Sequence, residues 1–178
     1  MSAQTVRLKF AIVGLIAAAA AGLAAAEPPG GLPGPDRDFL NKAAQGGMFE
    51  VKAGQLAAQR AQDPSVKSFA QKIVSDHTAA NDQIKALADS KQMPLPDNVS
   101  PEEHDALGKL EGLNGHEFDQ AYADLMVKDH VQDISDFEAE TKKAKDQDVK
   151  DFADQTLPTL RHHLMLANRL STQLKKGT

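Results

Sequence analysis

Hydrophobic residues recur along most of the chain at alternating spacings of three and four, the period of a helix that buries one narrow face. The pattern is clearest between Asp63, a suitable N-cap, and Ala88, with Pro64 at the first helical position. The inward positions of this stretch are Val66, Ala70, Ile73, His77, Ala80, Ile84 and Leu87. The spacing predicts a long helix over about 64–90 that packs in a helical bundle.

The same period predicts three more long helices. The first starts at Asp36 or Asp38 and carries Glu50 at the centre of its apolar stripe. Glycines on either side of Glu50 leave room for a neighbouring helix to come close. The other two are predicted over about 115–145 and from about 146 onwards, with a kink expected at Pro158.

Residues 91–114 connect the second and third long helices, and neighbouring antiparallel helices need far fewer. This connector contains a short helix that begins with a capping box formed by Ser100 and Glu103. Asn114 and Glu117 repeat that spacing before the next helix. A connector of this length can cross the whole bundle. The predicted fold is therefore an all-α, ferritin-like four-helix bundle with a long crossover connection containing a short extra helix.

The two halves of the chain resemble each other at a constant offset. Residues 66–70 (Val-Lys-Ser-Phe-Ala) and 149–153 (Val-Lys-Asp-Phe-Ala) are nearly identical helix openings. At the same offset, Asp63 corresponds to Asp146 and Glu50 corresponds to Asp133. This repetition indicates two helical hairpins of related design.

Each long helix has a residue with metal-ligand chemistry on its inward face, namely Glu50, His77, His130 and His163. At 1.5 Å per residue these four, and Asp133, lie roughly 20–26 Å along the helices from the nearest hairpin turn. They are therefore expected to meet near the middle of a bundle roughly 40 Å long.

Four segments carry a resemblance to a known family. They read Gly-Gly-Met-Phe-Glu-Val (46–51), Ser-Asp-His-Thr (75–78), Gly-His-Glu-Phe-Asp-Gln-Ala-Tyr (115–122) and Leu-Pro-Thr-Leu-Arg-His-His-Leu (157–164). With the Phe39-Leu40 opening, they are similar to an exported bacterial family built on a domain of unknown function, whose members are ferritin-like four-helix proteins. The resemblance covers about residues 38–170. The resemblance implies a ferritin-like four-helix fold and export of the protein. It implies no particular activity.

Glu50, His77, His130 and His163, joined by Asp133, predict a site for a transition metal such as zinc, iron or copper, because imidazoles and carboxylates ligate these ions. The alternative is a set of core histidines hydrogen-bonded to Glu50, Asp133 or a tyrosine. Ferritin-like di-iron sites use Glu-x-x-His pairs, and no glutamate stands three residues before any of these histidines. The pattern therefore does not predict a ferroxidase centre.

The N-terminus has the organisation of a secretory signal peptide, in which Arg7 and Lys9 precede an apolar segment that ends in three alanines. We predict a signal peptide over 1–26, cleaved after Ala26, a flexible Pro/Gly-rich tether over 27–37 and a bundle domain over 38–174. The cleaved chain is predicted to be periplasmic and not to span a membrane.

Composition narrows the function classes further. The net charge of −5 disfavours binding to nucleic acid, and the absence of cysteine excludes disulfides and thiolate chemistry. No nucleophile elbow or phosphate loop is present, so no catalytic residue is assigned.

Two other functions remain open. One is a metal-free cell-envelope interaction or stress-related module that exposes Leu107, Leu110 and Leu113 of the connector. The other is a histidine core that responds to pH. The sequence specifies neither a protein partner nor an oligomeric state.

Overall fold

The computed structural model describes residues 31–177, which form five helices and no strand. The helices are α1 (Gly34–Arg60), α2 (Pro64–Ser90), α3 (Pro101–Glu111), α4 (Gly115–Lys143) and α5 (Gln147–Lys176). α1 and α2 form one hairpin, α4 and α5 form another, and α3 packs on α1 and α4. The predicted four-helix bundle with a helix in its crossover is confirmed. None of the described helices is apolar over a length that could cross a membrane.

Contacts at the helix ends establish the path of the chain. The α1–α2 turn lies beside the start of α4, where the backbone N–H groups of Gln62 and Asp63 donate to the Asp119 carboxylate. The α4–α5 turn lies beside the start of α1, where Lys145 N–H and a neighbouring amide donate to Asp36. α1 and α5 therefore run in one direction and α2 and α4 in the other, so the crossover spans the bundle.

These two sets of hydrogen bonds, here called the reciprocal turn contacts, are equivalent under the internal repeat. Asp119 Oδ2 lies 2.7 Å from the backbone N of Asp63, and Asp36 Oδ2 lies 2.7 Å from the backbone N of Asp146. Both acceptor carboxylates are buried, with 1% and 0% of their surface exposed. Asp63 and Asp146 also act as the N-caps of α2 and α5. Each hairpin thus satisfies the turn amides of the other.

The start of α1 differs from the sequence expectation. α1 begins at Gly34, so residues 34–37 of the segment predicted as a tether are helical, and Leu32 before them is buried. The burial of Asp36 explains this early start, because its hydrogen bonds hold the first turn against the α4–α5 turn. The predicted signal peptide and the rest of the tether lie outside the described residues.

The two predicted capping boxes have different outcomes. The one formed by Ser100 and Glu103 is confirmed, with both of its hydrogen bonds present. The one at Asn114 is wrong, because Arg60 Nη2 donates to Asn114 Oδ1 at 2.7 Å and takes the oxygen that the cap would need. α5 continues as one α-helix through Pro158 to Lys176.

The core is divided into two hydrophobic clusters with the predicted site between them. The cluster nearer the α1–α2 turn includes Phe69 and Tyr122, whose rings pack at 6.2 Å. The other includes Phe39 and Phe137, which meet edge to face at 4.9 Å, and Phe152. The polar residues between the clusters are therefore surrounded by apolar packing above and below.

At Gly54, α1 packs closely against the side chains and backbone of α2. A Cβ atom there would lie 2.8 Å from Val74 Cγ2 and 3.1 Å from the carbonyl oxygen of Ala70. We expect Gly54→Ala to lower the free energy of unfolding by roughly 1–3 kcal/mol, despite the better helix propensity of alanine. Urea unfolding followed by circular dichroism measures the change.

Gly108 on α3 provides the matched control, because a Cβ atom there would meet nothing within 4 Å. Gly108→Ala should raise the free energy of unfolding by up to about 1 kcal/mol through helix propensity alone. Equal gains at Gly54 and Gly108 would show that the α1–α2 contact tolerates a methyl group.

Candidate metal centre

His77 on α2, His130 on α4 and His163 on α5 bring their imidazole rings together between the two hydrophobic clusters. The ring centroids are separated by 5.4 Å for His77–His130 and by 5.3 Å for the other two pairs. One ring nitrogen of each lies within 4.8 Å of the others. Exposure is 6% for His77 and 0% for His130 and His163. The three rings therefore form a nearly equilateral, buried group.

The outer nitrogens of two rings are held by hydrogen-bond acceptors. His130 Nδ1 lies 3.0 Å from the carbonyl oxygen of Met126, which can only accept, so Nδ1 carries the proton. His163 Nε2 lies 2.8 Å from Asp76 Oδ2. Burial raises the pKa of Asp76, but hydrogen bonds from Lys72 and His163 outweigh this effect and lower the pKa below its usual value. Asp76 is therefore ionised and accepts the Nε2 proton of His163.

The third ring is oriented by the buried carboxyl group of Glu50. His77 Nδ1 lies 2.5 Å from Glu50 Oε2, and His130 Nδ1 lies 3.2 Å from Oε1. Burial lowers the pKa of His77 to about 4. Burial, and then the charges of Asp129 and Glu103, raise the pKa of Glu50 well above its ordinary value. Both partners thus resist charge in this environment, and the contact between His77 Nδ1 and Glu50 Oε2 is a hydrogen bond between two uncharged groups.

The three remaining ring nitrogens are buried lone pairs without a donor. His77 Nε2, His130 Nε2 and His163 Nδ1 have no hydrogen-bond partner among residues 31–177. Burial and the neighbouring imidazoles lower the pKa of His130 to about 3, and burial lowers that of His163 to about 4. Protonation is therefore a costly way to satisfy these nitrogens, whereas a cation bound to all three lone pairs would satisfy them together.

The predicted carboxylates lie against the imidazole group. A carboxylate oxygen of Glu50 and one of Asp133 each lie within 4.8 Å of the other and of a ring nitrogen of His130. A cavity of about 20 Å³, bordered by Glu50, His77 and Asp133, adjoins them and has room for about one water molecule. All five predicted site residues thus occupy one region, with the histidines as one group and Asp133 beside Glu50.

Sequence reasoning missed two acidic neighbours of this region, Asp129 and Glu103. Asp129 precedes Asp133 by one helical turn, which was a usable signal, and its Oδ2 is buried without a partner in the described chain. Glu103 was recognised as a capping residue, but its charge also raises the pKa of Glu50, Asp129 and Asp133. The sequence does not show which part of the bundle a connector helix covers, so the position of Glu103 beside the site could not be predicted.

The connector leucines do not form the exposed surface that an interaction module would need. Leu110 is 2% exposed, and Leu107 and Leu113 pack against the hydrophobic cluster that contains it. The expected exposure is therefore wrong, because α3 lies with this face on α1 and α4.

Comparison with known proteins places the chain in a family. Residues 20–170 match the domain of unknown function DUF4142. The chain belongs to the DUF4142 family. This confirms the resemblance to a bacterial domain of unknown function that the sequence motifs indicated. No curated relative matches the sequence.

Solved structures share the fold of this DUF4142 chain. A DUF305 fragment from Deinococcus radiodurans has a TM-score of 0.72 at 16% identity, covering 80% of this chain and 99% of its own. A DUF305 protein from Streptomyces coelicolor, described as secreted, has a TM-score of 0.69 at 15% identity, covering 79% and 92%. CopM in its Cu(II)-bound form has a TM-score of 0.67 at 14% identity, covering 78% and 96%, and an Ag-bound form is also known.

Proposed function

We propose that this protein binds a transition metal ion in the core of an exported helical bundle. His77, His130 and His163 supply the ligands through His77 Nε2, His130 Nε2 and His163 Nδ1. Glu50 and Asp76 position two of the rings from outside, and the Met126 carbonyl positions the third. Asp133 adds negative charge beside the group.

The observation that supports this proposal is the orientation of the three rings. Each imidazole directs one N–H at a fixed acceptor, and the other nitrogen of each remains a bare lone pair within the buried group. Ligating histidines commonly donate their second N–H to a carboxylate or backbone carbonyl in this way. Core histidines that served packing alone would have no reason to leave all three lone pairs without donors.

Among zinc, iron and copper, the nitrogen ligands favour copper or zinc, because neutral imidazole suits both and no cysteine is present. CopM, which shares the fold, has been solved with Cu(II) and with Ag bound, and this supports copper as the first metal to test. The role is binding and buffering of the ion, since no group of the site has been assigned to a reaction.

A periplasmic location is part of the proposal. It is supported by the signal-peptide pattern that ends at Ala26 and by the description of a structural neighbour as secreted. A metal-free envelope module is the weaker alternative, because the leucines that it would expose are packed.

Metal analysis of the untagged chain tests the proposal. After incubation with Cu(I), Ag(I), Zn(II) or Fe(II) and removal of excess metal, at least one ion should remain at close to one equivalent. His163→Gln should weaken its binding by roughly 10-fold to 100-fold, because one ligand of the set is lost. Less than about 0.2 equivalents of every metal would overturn the proposal.

His162→Gln is the matched control. His162 is the neighbouring residue on α5 and is exposed, so its loss should leave binding unchanged. Equal losses from His162→Gln and His163→Gln would show that the metal binds at the surface.

A further inference from the structure

Four carboxyl groups converge on the side of the site that α3 covers. Glu50 lies on α1, Glu103 on α3, and Asp129 and Asp133 on α4. A methyl group at Gly46 would lie 3.9 Å from Asp133 Oδ1 and 4.0 Å from Glu103 Oε1, which locates both carboxylates at the same point of α1.

The ion pairs of Lys72, Lys85, Lys91 and Arg161 are formed with other acids. His130 Nδ1 lies 3.2 Å from Glu50 Oε1, but its proton is committed to the Met126 carbonyl. Of the four, only Glu50 is fully buried, and a buried carboxyl group without a counter-charge is energetically unfavourable. A bound cation is one way to remove that cost.

Glu50 uses its two oxygens differently, and this is the observation that points to a ligand. Oε2 binds His77, whereas Oε1 has no hydrogen-bond partner in the described residues although Glu50 is only 1% exposed. The cavity of about 20 Å³ is bordered by Glu50 and Asp133 together. Glu50 therefore has an unpartnered oxygen and also borders, together with Asp133, a small cavity.

The internal repeat explains this placement. Glu50 and Asp133 are equivalent positions of the two hairpins, so they face each other across the axis that relates the halves. The three histidines have no such equivalents, since the matching positions are Leu160, Gly47 and Ala80. Glu50 and Asp133 therefore follow the internal repeat, whereas the three histidines do not.

We propose that Glu50 and Asp133, the two carboxyl groups that border this cavity, hold a hard divalent cation there, separate from the ion proposed at the three histidines. Oxygen-only ligands select cations such as Mn²⁺, Mg²⁺ or Ca²⁺ rather than copper. Glu50 is shared, with Oε2 orienting His77 and Oε1 facing the cation. The site then holds two neighbouring ions, one bound by imidazole nitrogens and the other by carboxylate oxygens.

Mn²⁺ is the probe, because the loss of its free electron paramagnetic resonance signal reports binding. The untagged full chain, freed of metal with EDTA, should bind one Mn²⁺. Asp133→Asn should weaken Mn²⁺ binding at least about tenfold but weaken Cu(I) or Ag(I) binding by no more than about threefold, because Asp133 is not a ligand of the ion at the histidines. His163→Gln should have the opposite pattern, so failure of the carboxylate position is distinguishable from failure of the histidine position.

Asp136→Asn is the control for long-range charge. It removes the same charge from α4, but the Asp136 carboxylate accepts from Gln132 and does not border the cavity. Equal losses from Asp133→Asn and Asp136→Asn would overturn the proposal. So would less than about 0.2 equivalents of Mn²⁺ at millimolar concentration in a folded chain, which would indicate that the carboxyl groups share protons instead.

Discussion

Asp119→Ala is expected to lower the free energy of unfolding by roughly 3–4 kcal/mol, because it removes a buried carboxylate and leaves the amides of Gln62 and Asp63 without their acceptor. Asp36→Ala should have an effect of similar size through the amides of Lys145 and Asp146. Urea unfolding of the metal-free chain, followed by circular dichroism, measures both changes.

Asp124→Ala is the control on α4. The Asp124 carboxylate pairs with Lys175 at 2.9 Å and accepts from Ser171 Oγ, but its side chain is 44% exposed, so its removal should cost no more than about 1–2 kcal/mol. If Asp119→Ala costs no more than Asp124→Ala, the reciprocal turn contacts do not hold the hairpins together.

The second large effect concerns the polar centre in the absence of metal. Replacing Glu50 by Met and His77, His130 and His163 by Leu should raise the free energy of unfolding by roughly 2–4 kcal/mol in EDTA. Apolar side chains of similar volume would remove a buried acid and three lone pairs without donors. The same variant should bind no Cu(I) or Ag(I).

The single variant His77→Leu provides the contrast. It removes the partner of Glu50 Oε2 at the 2.5 Å contact and leaves that oxygen buried, so it should lower the free energy of unfolding by roughly 1–3 kcal/mol. A quadruple variant less stable than the wild-type chain would favour the alternative in which the histidines serve packing.

The sequence was sufficient for the fold because its signals are local and periodic. The inward stripe from Val66 to Leu87 and the capping box at Ser100 each specify a helix by themselves. The length of residues 91–114 then distinguished a crossover from a short loop. The start of α1 was misplaced, since burial of Asp36 depends on a turn more than a hundred positions later in the chain.

The candidate site was predicted in part. Spacing located Glu50, His77, His130 and His163 at one level, because each lies on the inward stripe of its own helix. Spacing gives no ring orientation, so the acceptor role of Asp76 and the free nitrogens could only come from tertiary contacts. Asp36 and Asp119 are separated by the constant offset of the repeat, which could have indicated a common role. An aspartate near the start of a helix is also a common N-cap, so the sequence did not distinguish that role from the reciprocal turn contacts.

The reciprocal turn contacts make the two hairpins incomplete in isolation. The amides of each turn find their acceptor only in the opposite half of the molecule, and the crossover contributes nothing to them. Residues 91–114 connect the hairpins and add contacts of their own, including the ion pairs of Lys91 with Asp146 and Asp148, while the turn amides of each hairpin depend on the two aspartates. The candidate site has the same dependence, because Glu50 and His77 come from one hairpin and His130 and His163 from the other, so the site forms only where the two hairpins pack together.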